Sequence, residues 1–433
     1  MFERPHGGER AVLVRLLFDG AEDPQESAEF QQLAAAAGAE RVAFITGRRS
    51  APDSRLFAGS GKAAEISDAA QQGDAKLVIF DHALSPSQER NLEAFLQCRV
   101  IDRTGLILDI FAQRARSFEG KLQVELAQLR HLSTRLVRGW THLERQRGGI
   151  GLRGPGETQL ETDRRLLADR IRQIRLRLDR VEKQREQGRR ARRKANLPTV
   201  SVVGYTNAGK STLFNTLTQS AVYAADQLFA TLDPTLRRLD LPGAEPVILA
   251  DTVGFISRLP HELVAAFRAT LRETCEARLL LHVIDASHPD RNAVIDEVEA
   301  VLAEIGAVEI PCLQVFNKID LTDDPPRLER DSEGQARAVW LSAATGAGLD
   351  GLMTALTERL RGEAVHGWLC LPAAAARLRS RLFSLGAVVA EQHEPSGEWL
   401  IEVRTSLGNL DLLRRKEGLR EEWVRSGLQS PAL

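Results

Sequence analysis

The stretch TVSVVGYTNAGKSTLF, residues 199–214, decides the fold of this 433-residue chain. It begins with an apolar, β-branched run that predicts a buried strand up to Gly204, and the residues from Lys210 onward predict a helix. The loop between them fits the pattern G-x-x-x-x-G-K-[ST], whose glycines let backbone amides approach phosphate groups. Lys210 would reach the β- and γ-phosphates, and the Ser211 hydroxyl would ligate Mg²⁺. We therefore expect a phosphate-binding loop in an α/β domain.

A second apolar run, VILADTVG at residues 247–254, places Asp251 at the end of another predicted strand. There its carboxylate can hold Mg²⁺ through water, with the amide of Gly254 near the γ-phosphate. In Ras-like proteins a glutamine that orients the attacking water follows this glycine. Phe255 occupies that position here, and a phenyl ring cannot hold water. Either the chain does not hydrolyse nucleotide, or another group positions the water.

The motif NKID, residues 317–320, indicates which base is bound. Asp320 can accept hydrogen bonds from two N–H groups on the edge of guanine, while Asn317 braces the loop and Lys318 covers the ring. The segment VWLSAATG follows at residues 339–346 and offers backbone to the guanine oxygen. Because adenine presents a different donor and acceptor pattern, these motifs predict a GTPase that hydrolyses GTP to GDP and phosphate.

A GTPase also needs a threonine that closes onto Mg²⁺ and the γ-phosphate in the GTP state. The segment LFATLDPT, residues 228–235, offers Thr231, with Thr235 as the less favoured choice. The predicted catalytic residues are Lys210, Thr231 and Gly254. The predicted Mg²⁺ ligands are Ser211, Thr231 and, through water, Asp251. The predicted nucleotide-binding residues are Gly204, Tyr205, Thr206, Asn207, Ala208, Gly209, Lys210, Ser211, Thr212, Phe229, Ala230, Thr231, Leu232, Asp233, Asp251, Thr252, Val253, Gly254, Asn317, Lys318, Ile319, Asp320, Ser342, Ala343 and Ala344.

Asn207 raises the question of a second cation. Some GTPases without the glutamine use an asparagine at this point of the loop to hold K⁺, which can stabilise developing charge as an arginine finger would. The alternative is that Asn207 hydrogen-bonds within its own loop. Mg²⁺ is therefore the expected cofactor, and a requirement for K⁺ is an open hypothesis.

Residues 1–115 alternate short β-rich runs with helical stretches, which predicts a small parallel α/β subdomain. Within it, GSGK at residues 59–62 imitates a phosphate-binding loop. Leu56 stands where the first glycine should be, and Ala63 replaces the hydroxyl residue. We expect an ordinary turn or helix start at this place.

Residues 116–196 carry a heptad-like seam that predicts a basic antiparallel helical hairpin. Its tip, residues 148–157, is rich in glycine and contains Arg153, with Arg147 just before it. Thr158 and Glu161 resemble a capping box that would start the second helix. The seam residues are Leu122, Leu126, Leu129, Ser133, Leu136, Trp140 and Leu143 in the first helix, and Leu167, Ile171, Ile174, Leu178 and Val181 in the second.

Charge is distributed unevenly along the chain, whose net charge is -1. Residues 121–196 contain 21 Lys or Arg against 9 Asp or Glu, a net of +12, which leaves -13 for the rest. Such asymmetry suggests a polyanionic partner, although a solvated charged helix is the alternative. Four scattered cysteines and an N-terminus without an apolar core predict a reducing, cytoplasmic location without structural zinc.

Taken together, the segments GYTNAGKSTLFN, FATLDPT, DTVGFI, NKID and GGIGLRGPGETQLETDRR resemble the HflX GTPases. The resemblance covers about residues 10–365, and the glycine-rich tip is its most specific part. It implies GTP-driven binding to the large ribosomal subunit and dissociation of stalled or idle ribosomes under stress, with the hairpin tip near the peptidyl-transfer centre. A hydrophobic residue in place of the glutamine fits this family, so Phe255 implies hydrolysis that the ribosome stimulates.

The predicted architecture is therefore α/β. A small parallel α/β subdomain (1–115) and a helical hairpin (116–196) precede a GTPase domain (197–365), and a small α+β domain (366–433) follows. We expect GTP or GDP as ligand, ribosomal RNA of the large subunit as partner, no binding to DNA, and a monomer. The alternative is a GTPase switch that acts without RNA on a protein or at a membrane surface, so peripheral membrane association stays open. An ATP-driven RNA remodeller is disfavoured by Asn317 and Asp320.

Overall fold

The computed structural model describes the greater part of the chain. The described residues are 8–18, 24–139, 155–194, 197–219, 229, 235–242, 244, 246–252, 254–256, 274–360, 364–394, 397–406, 410, 413–415 and 417–426. Several predicted features lie outside them: Trp140, Leu143, Arg147, Arg153, most of the hairpin tip, Ala230, Thr231, Leu232, Asp233 and Val253. No helix in the described part of the chain is long and apolar enough to cross a membrane.

The N-terminal subdomain is a four-stranded, all-parallel sheet with helices on its faces, as predicted. Its strands are β1 (Glu9–Leu17), β2 (Ala39–Arg48), β3 (Leu77–Phe80) and β4 (Arg99–Ile101), in the order β2-β1-β3-β4. Its helices are α1 (Pro24–Ala36), α2 (Ser60–Gln72), α3 (Pro86–Leu96) and α4 (Arg103–Arg114). The Ser85 and Asp102 side chains accept hydrogen bonds from backbone amides in the first turns of α3 and α4, which explains where these helices begin.

The GSGK segment is a helix start, as expected. Helix α2 begins at Ser60, and Lys62 Nζ donates to the Thr46 carbonyl at 3.0 Å and to Glu65 Oε2 at 2.7 Å. The lysine is therefore engaged within its own subdomain.

Two long helices form the antiparallel hairpin, α5 (Phe118–Gly139) and α6 (Pro155–Lys194). Arg170 of α6 pairs with Glu125 of α5, and the later Arg185 pairs with the earlier Glu119, so the two helices run in opposite directions. The predicted seam is confirmed in its middle part, where Leu122, Leu126 and Ile174 are buried and pack with Leu129, Ile171 and Leu178.

The predicted start of the second hairpin helix is wrong. We expected a capping box at Thr158 and Glu161, but α6 already begins at Pro155. Proline is favoured in the first helical turn because its missing N–H would have no helical partner there and its φ is already helical. This preference outweighs the later capping-box pattern.

The GTPase domain is a seven-stranded sheet whose edge strands are antiparallel. Its strands are β5 (Thr199–Gly204), β6 (Thr235–Leu239), β7 (Val247–Asp251), β8 (Leu279–Asp285), β9 (Cys312–Asn317), β10 (Arg327–Arg330) and β11 (Ala336–Trp340), in the order β10-β11-β9-β8-β5-β7-β6. Helices α7 (Lys210–Thr218), α8 (Arg291–Glu304) and α9 (Leu349–Leu360) accompany it. The five central strands are parallel, so their carboxyl ends share one edge of the sheet.

The C-terminal domain contains an antiparallel sheet, and a helix packs in the same apolar cluster as its strands. It comprises β12 (Ala364–Leu371), α10 (Ala376–Ser384), β13 (Val388–His393), β14 (Trp399–Ser406) and β15 (Val424–Ser426), with the sheet order β13-β14-β12-β15. The last strand was not predicted, because three residues of VRS carry no detectable strand pattern. The first strand begins at Ala364, two residues before the predicted boundary.

Candidate nucleotide-binding site

The loop after β5 has the backbone of a phosphate-binding loop. Gly204 has φ +142°, and an added Cβ would stand 2.2 Å from the Val283 carbonyl oxygen of the neighbouring strand. Gly209 has φ +91°, and a Cβ there would meet Asn317 Nδ2 at 2.2 Å. Both positions therefore require glycine for steric as well as conformational reasons. Asn207 also has a positive φ, 61°, which asparagine tolerates better than most residues.

Lys210, the first residue of α7, lies at the centre of this loop. Its side chain is almost fully buried, and Nζ donates to the Tyr205 carbonyl at 2.5 Å. Burial lowers the pKa of Lys210 to about 8, although the nearby carboxylate of Asp251 acts in the opposite direction. The ammonium group therefore sits in a place that favours a strong anionic partner, such as the phosphates of a nucleotide.

The side chains of Ser211 and Asp251, two of the predicted Mg²⁺ ligands, are in contact. The Ser211 hydroxyl donates to Asp251 Oδ2 at 3.0 Å, although the two residues come from α7 and the end of β7. Asp251 has no exposed surface in the fold. A hydroxyl and a carboxylate are hard oxygen donors, so this pair fits Mg²⁺. Thr231, the third predicted ligand, lies outside the described residues.

Asn317 joins the phosphate-binding loop to the base-binding loops. Its Nδ2 donates to the Ala208 carbonyl at 2.9 Å, and its Oδ1 accepts from the Ala343 amide at 2.9 Å. The residue is 2% exposed, so both bonds are shielded from water. Asp320 lies on the exposed rim of the same loop, where a base can approach it. These contacts show that Asn317 braces the loop, and binding of the guanine edge by Asp320 stays a prediction.

Lys318 is held by a residue that was not predicted to belong to the site. Its backbone is left-handed, with φ +67°, and its Nζ lies 2.8 Å from Asp285 Oδ2 at the end of β8. Asp285 Oδ1 in turn accepts hydrogen bonds from the amide and hydroxyl of Ser287. The neighbouring strand end therefore fixes the lysine stem that is predicted to cover the guanine ring.

Phe255 does not face the nucleotide site. Its ring is 3% exposed and packs in the core of the GTPase domain, in a cluster that includes Val203 and Leu280. Its backbone is hydrogen-bonded to the phosphate-binding loop, because its amide donates to the Gly204 carbonyl at 3.1 Å and its carbonyl accepts from the Thr206 amide at 2.7 Å. Phe255 is therefore a structural anchor for the segment that carries Gly254.

Two predicted nucleotide-binding residues direct their side chains to the N-terminal subdomain instead. The Tyr205 hydroxyl donates to the Glu29 carboxylate of α1. The Phe229 ring packs edge-on against Phe111 of α4, with centroids 4.6 Å apart. Ile256 belongs to the same apolar cluster. Any contribution of Tyr205 and Phe229 to nucleotide binding would therefore come from backbone atoms.

Thr252 is also turned inward, since its hydroxyl donates to the Val202 carbonyl within the fold. Thr235, the less favoured switch threonine, lies in β6 opposite Asp251.

Ser342 is fully buried, and its hydroxyl accepts from the Thr345 amide at 3.2 Å, so it shapes the loop that carries Ala343 and Ala344. The remaining predicted residues Thr212 and Ile319 are placed at the beginnings of α7 and of the turn after β9.

Comparison with known proteins identifies the family. Three family models match the chain: "GTP-binding GTPase N-terminal" at residues 25–112, "GTP-binding GTPase Middle Region" at 114–192 and "50S ribosome-binding GTPase" at 199–318. The chain is 59% identical to GTPase HflX of Escherichia coli (strain K12) over 434 residues, covering 100% of this chain and 99% of that protein. The chain belongs to the HflX family of GTPases.

A second HflX protein, from Caldanaerobacter subterraneus subsp. tengcongensis, is 45% identical over 397 residues, covering 92% of this chain and 91% of the relative. Among solved structures, a GTP-binding protein from Sulfolobus solfataricus in complex with GDP covers 81% of this chain and 98% of its own, with 22% identity and a TM-score of 0.43. Membership of the HflX family confirms GTP hydrolysis as the reaction and the three-part order of subdomain, hairpin and GTPase domain.

Proposed function

We propose that this GTPase binds the large ribosomal subunit and separates the subunits of stalled or idle ribosomes under stress, with GTP hydrolysis stimulated by the ribosome. The observation that carries the proposal is the exposed basic surface of α6. Arg172, Arg175, Arg177, Arg180 and Lys183 are all exposed on this helix. Exposed cations spaced along a helix suit the regularly spaced phosphates of RNA.

The nucleotide chemistry of the proposal uses the residues described above. Lys210 binds phosphate oxygens, Ser211 and Asp251 hold Mg²⁺, and Asp320 reads the guanine edge. When bound, Mg²⁺ would neutralise the charge that develops on the phosphate oxygens. Since Phe255 is part of the core, hydrolysis by the free protein is slow and rises when the ribosome completes the site.

GTP turnover measured with and without large ribosomal subunits tests the central claim. We expect a rise of at least an order of magnitude with the subunits, since groups supplied in trans to GTPases accelerate hydrolysis by about 10³-fold to 10⁵-fold. Equal turnover in both reactions would contradict the proposal and favour the alternative, a switch that acts on a protein or membrane partner.

A charge-reversal pair tests the binding surface. Arg172→Glu with Arg175→Glu should weaken subunit binding strongly and lower its dependence on salt, because each lost phosphate contact removes about 0.7 to 0.9 units of logarithmic slope. Arg48→Glu with Lys76→Glu makes the same charge change on exposed positions of the N-terminal subdomain and is the matched control. Binding that both pairs weaken equally would show only a general effect of net charge.

The tip, residues 148–157, is proposed to act in subunit separation. Replacing it with a short helix connection should leave nucleotide binding unchanged, because the predicted nucleotide-binding residues all lie after residue 200. Light scattering of intact ribosomes mixed with GTP and the shortened protein measures dissociation. Dissociation at the unmodified rate would reduce the tip to a connection between two helices.

A further inference from the structure

Phe255 cannot position the attacking water, because its side chain is apolar and lies in the core. A GTPase must keep this water in line with the γ-phosphate, and a side chain that both accepts and donates a hydrogen bond can do so. The Phe255 ring lies in the apolar core, so Phe255 can contribute only backbone atoms. A holder within this chain has to come from another part of the site.

Thr206, the third residue of the phosphate-binding loop, has an unusual hydroxyl. The residue is only 6% exposed, and its Oγ1 is buried and makes no hydrogen bond to the described part of the chain. Burying a hydroxyl without a partner is unfavourable, because the group loses its hydrogen bonds to water and gains none in return. A threonine at such a place is expected where a ligand supplies the missing partner. Asn207, the next residue, is exposed and pays no such cost.

The side chain of Thr206 lies close to Gly254 and Lys210, two residues of the predicted γ-phosphate site. A Cβ added to Gly254 would stand 2.9 Å from Thr206 Cγ2 and 2.9 Å from Lys210 Nζ, so the methyl group of Thr206 lies close to Gly254 and to the ammonium group of Lys210. The Lys210 ammonium and the Gly254 amide are the two groups predicted to contact the γ-phosphate. The Thr206 backbone is fixed as well, because its amide donates to the Phe255 carbonyl at 2.7 Å.

We propose that Thr206 is a further catalytic residue, whose hydroxyl accepts a hydrogen bond from the attacking water and donates one to a γ-phosphate oxygen. The inference rests on the proposed GTP site and deepens it. The water oxygen forms a bond to the γ-phosphorus, and the bond from phosphorus to the β–γ bridging oxygen breaks with its electron pair remaining on GDP. One water proton stays on the attacking oxygen, the other passes to a γ-phosphate oxygen, and Thr206 is unchanged.

Two substitutions separate the hydroxyl from the shape of the side chain. Thr206→Val keeps the volume but removes the hydroxyl, whereas Thr206→Ser keeps the hydroxyl and removes the methyl group. Single-turnover hydrolysis of GTP is measured in the absence of ribosomes, and GDP affinity is measured by fluorescence titration. We expect Thr206→Val to slow hydrolysis on the order of 10²-fold, comparable to the loss of one preorganised hydrogen bond in an active site. GDP lacks the γ-phosphate, so its affinity should stay within a factor of about two, and Thr206→Ser should restore most of the rate.

GDP with aluminium fluoride gives a readout that a purely structural role would not move. The unmodified protein and Thr206→Ser should bind this mimic of the reacting phosphate, and Thr206→Val should bind it more weakly, although its affinity for GDP is unchanged. Hydrolysis by Thr206→Val at the unmodified rate would overturn the proposal. So would a Thr206→Ser variant as slow as Thr206→Val, or a loss of GDP affinity that matches the loss of rate.

The ribosome is absent from these measurements, so failure of the proposed function gives a different result. Turnover by the unmodified protein that ribosomal subunits do not stimulate would contradict the ribosomal role and leave the comparison at Thr206 intact. No hydrolysis by the unmodified protein, either with or without ribosomal subunits, would overturn both proposals.

Discussion

At the residue scale, the pKa of the Lys210 ammonium group depends on its neighbours. In the free protein burial lowers this pKa to about 8, below the ordinary value of 10.5. The unfolded chain therefore binds more protons between these two values. Burial of the charge lowers the free energy of unfolding. This destabilisation is fully present below pH 8 and is lost as the pH rises toward 10.5. Phosphate oxygens would favour the charged form and raise the pKa again.

Binding of GDP should therefore take up a proton at alkaline pH. We expect GDP affinity to be independent of Lys210 ionisation near neutrality and to fall above pH 8, by at most about tenfold per pH unit. Fluorescence titration from about pH 7 to about pH 9 measures the effect within this window. Lys210→Met should bind GDP more weakly and show no such decline. An equal slope for both proteins would assign the titration to another group.

Asp285 provides a second prediction at this scale. Removing it in Asp285→Ala takes away the carboxylate that holds Lys318 Nζ at 2.8 Å. Since both side chains are partly exposed, the loss of GDP affinity should be modest, roughly twofold to fivefold. Asp296→Ala, an exposed aspartate on α8, is the matched control and should leave affinity unchanged. Isothermal titration with GDP compares the three proteins, and an unaltered affinity in Asp285→Ala would contradict a role in holding the lysine.

The local motifs could be predicted because each one is defined by a few adjacent residues at the end of a strand. Gly204, Lys210, Asp251 and Asn317 are such residues, and the structure brings them to one edge of the sheet. Asp285 could not be predicted in the same way. It sits at the end of a strand in a segment without a recognised pattern, and only the pairing of β8 with β9 brings it to Lys318.

At the scale of elements, the segment from Asp251 to Ile256 is attached to β5 through Phe255. Phe255→Ala would leave a cavity in the core of the GTPase domain and should lower the free energy of unfolding by about 3 kcal/mol. Phe255→Leu fills most of the volume and should cost less. Urea denaturation measures both variants. A Phe255→Ala protein as stable as the unmodified one would contradict the packing role that we assign to the ring.

The hairpin shows why some element boundaries resist prediction. The seam of leucines and isoleucines fixed the pairing of α5 with α6, because apolar periodicity extends over many residues. The beginning of α6 depended on a choice between two local signals, Pro155 and the pair Thr158 and Glu161. Both are common near helix starts, and sequence alone does not weigh one against the other.

At the scale of the whole molecule, the N-terminal subdomain packs directly on the GTPase domain. Phe111 of α4 touches Phe229, and both rings are almost fully buried. Phe111→Ala should lower the free energy of unfolding by about 3 kcal/mol, because it opens a cavity where the two units meet. Phe95→Ala, in the same subdomain but at a residue 44% exposed, should have little effect. Equal thermal midpoints for the unmodified protein and Phe111→Ala would contradict a close interface.

This interface between the two domains could not be predicted from the sequence. Tyr205 and Phe229 stand inside or beside nucleotide-binding motifs, so their positions predicted contact with nucleotide. Their side chains instead meet Glu29 and Phe111, more than a hundred residues away along the chain. An apolar residue in a loop does not reveal which surface covers it, and only the arrangement of domains decides this.

The antiparallel course of α5 and α6 has a consequence for chain continuity. The covalent link between the N-terminal subdomain and the GTPase domain runs out along one helix and back along the other, while the two units also meet at Phe111 and Phe229. A single peptide cleavage within residues 140–154, between these helices, would therefore leave two fragments joined by the leucine seam and by the domain contact. The protein should accordingly be reconstitutable from two separately produced pieces divided within these residues, and their reassembly would report on the strength of both contacts together.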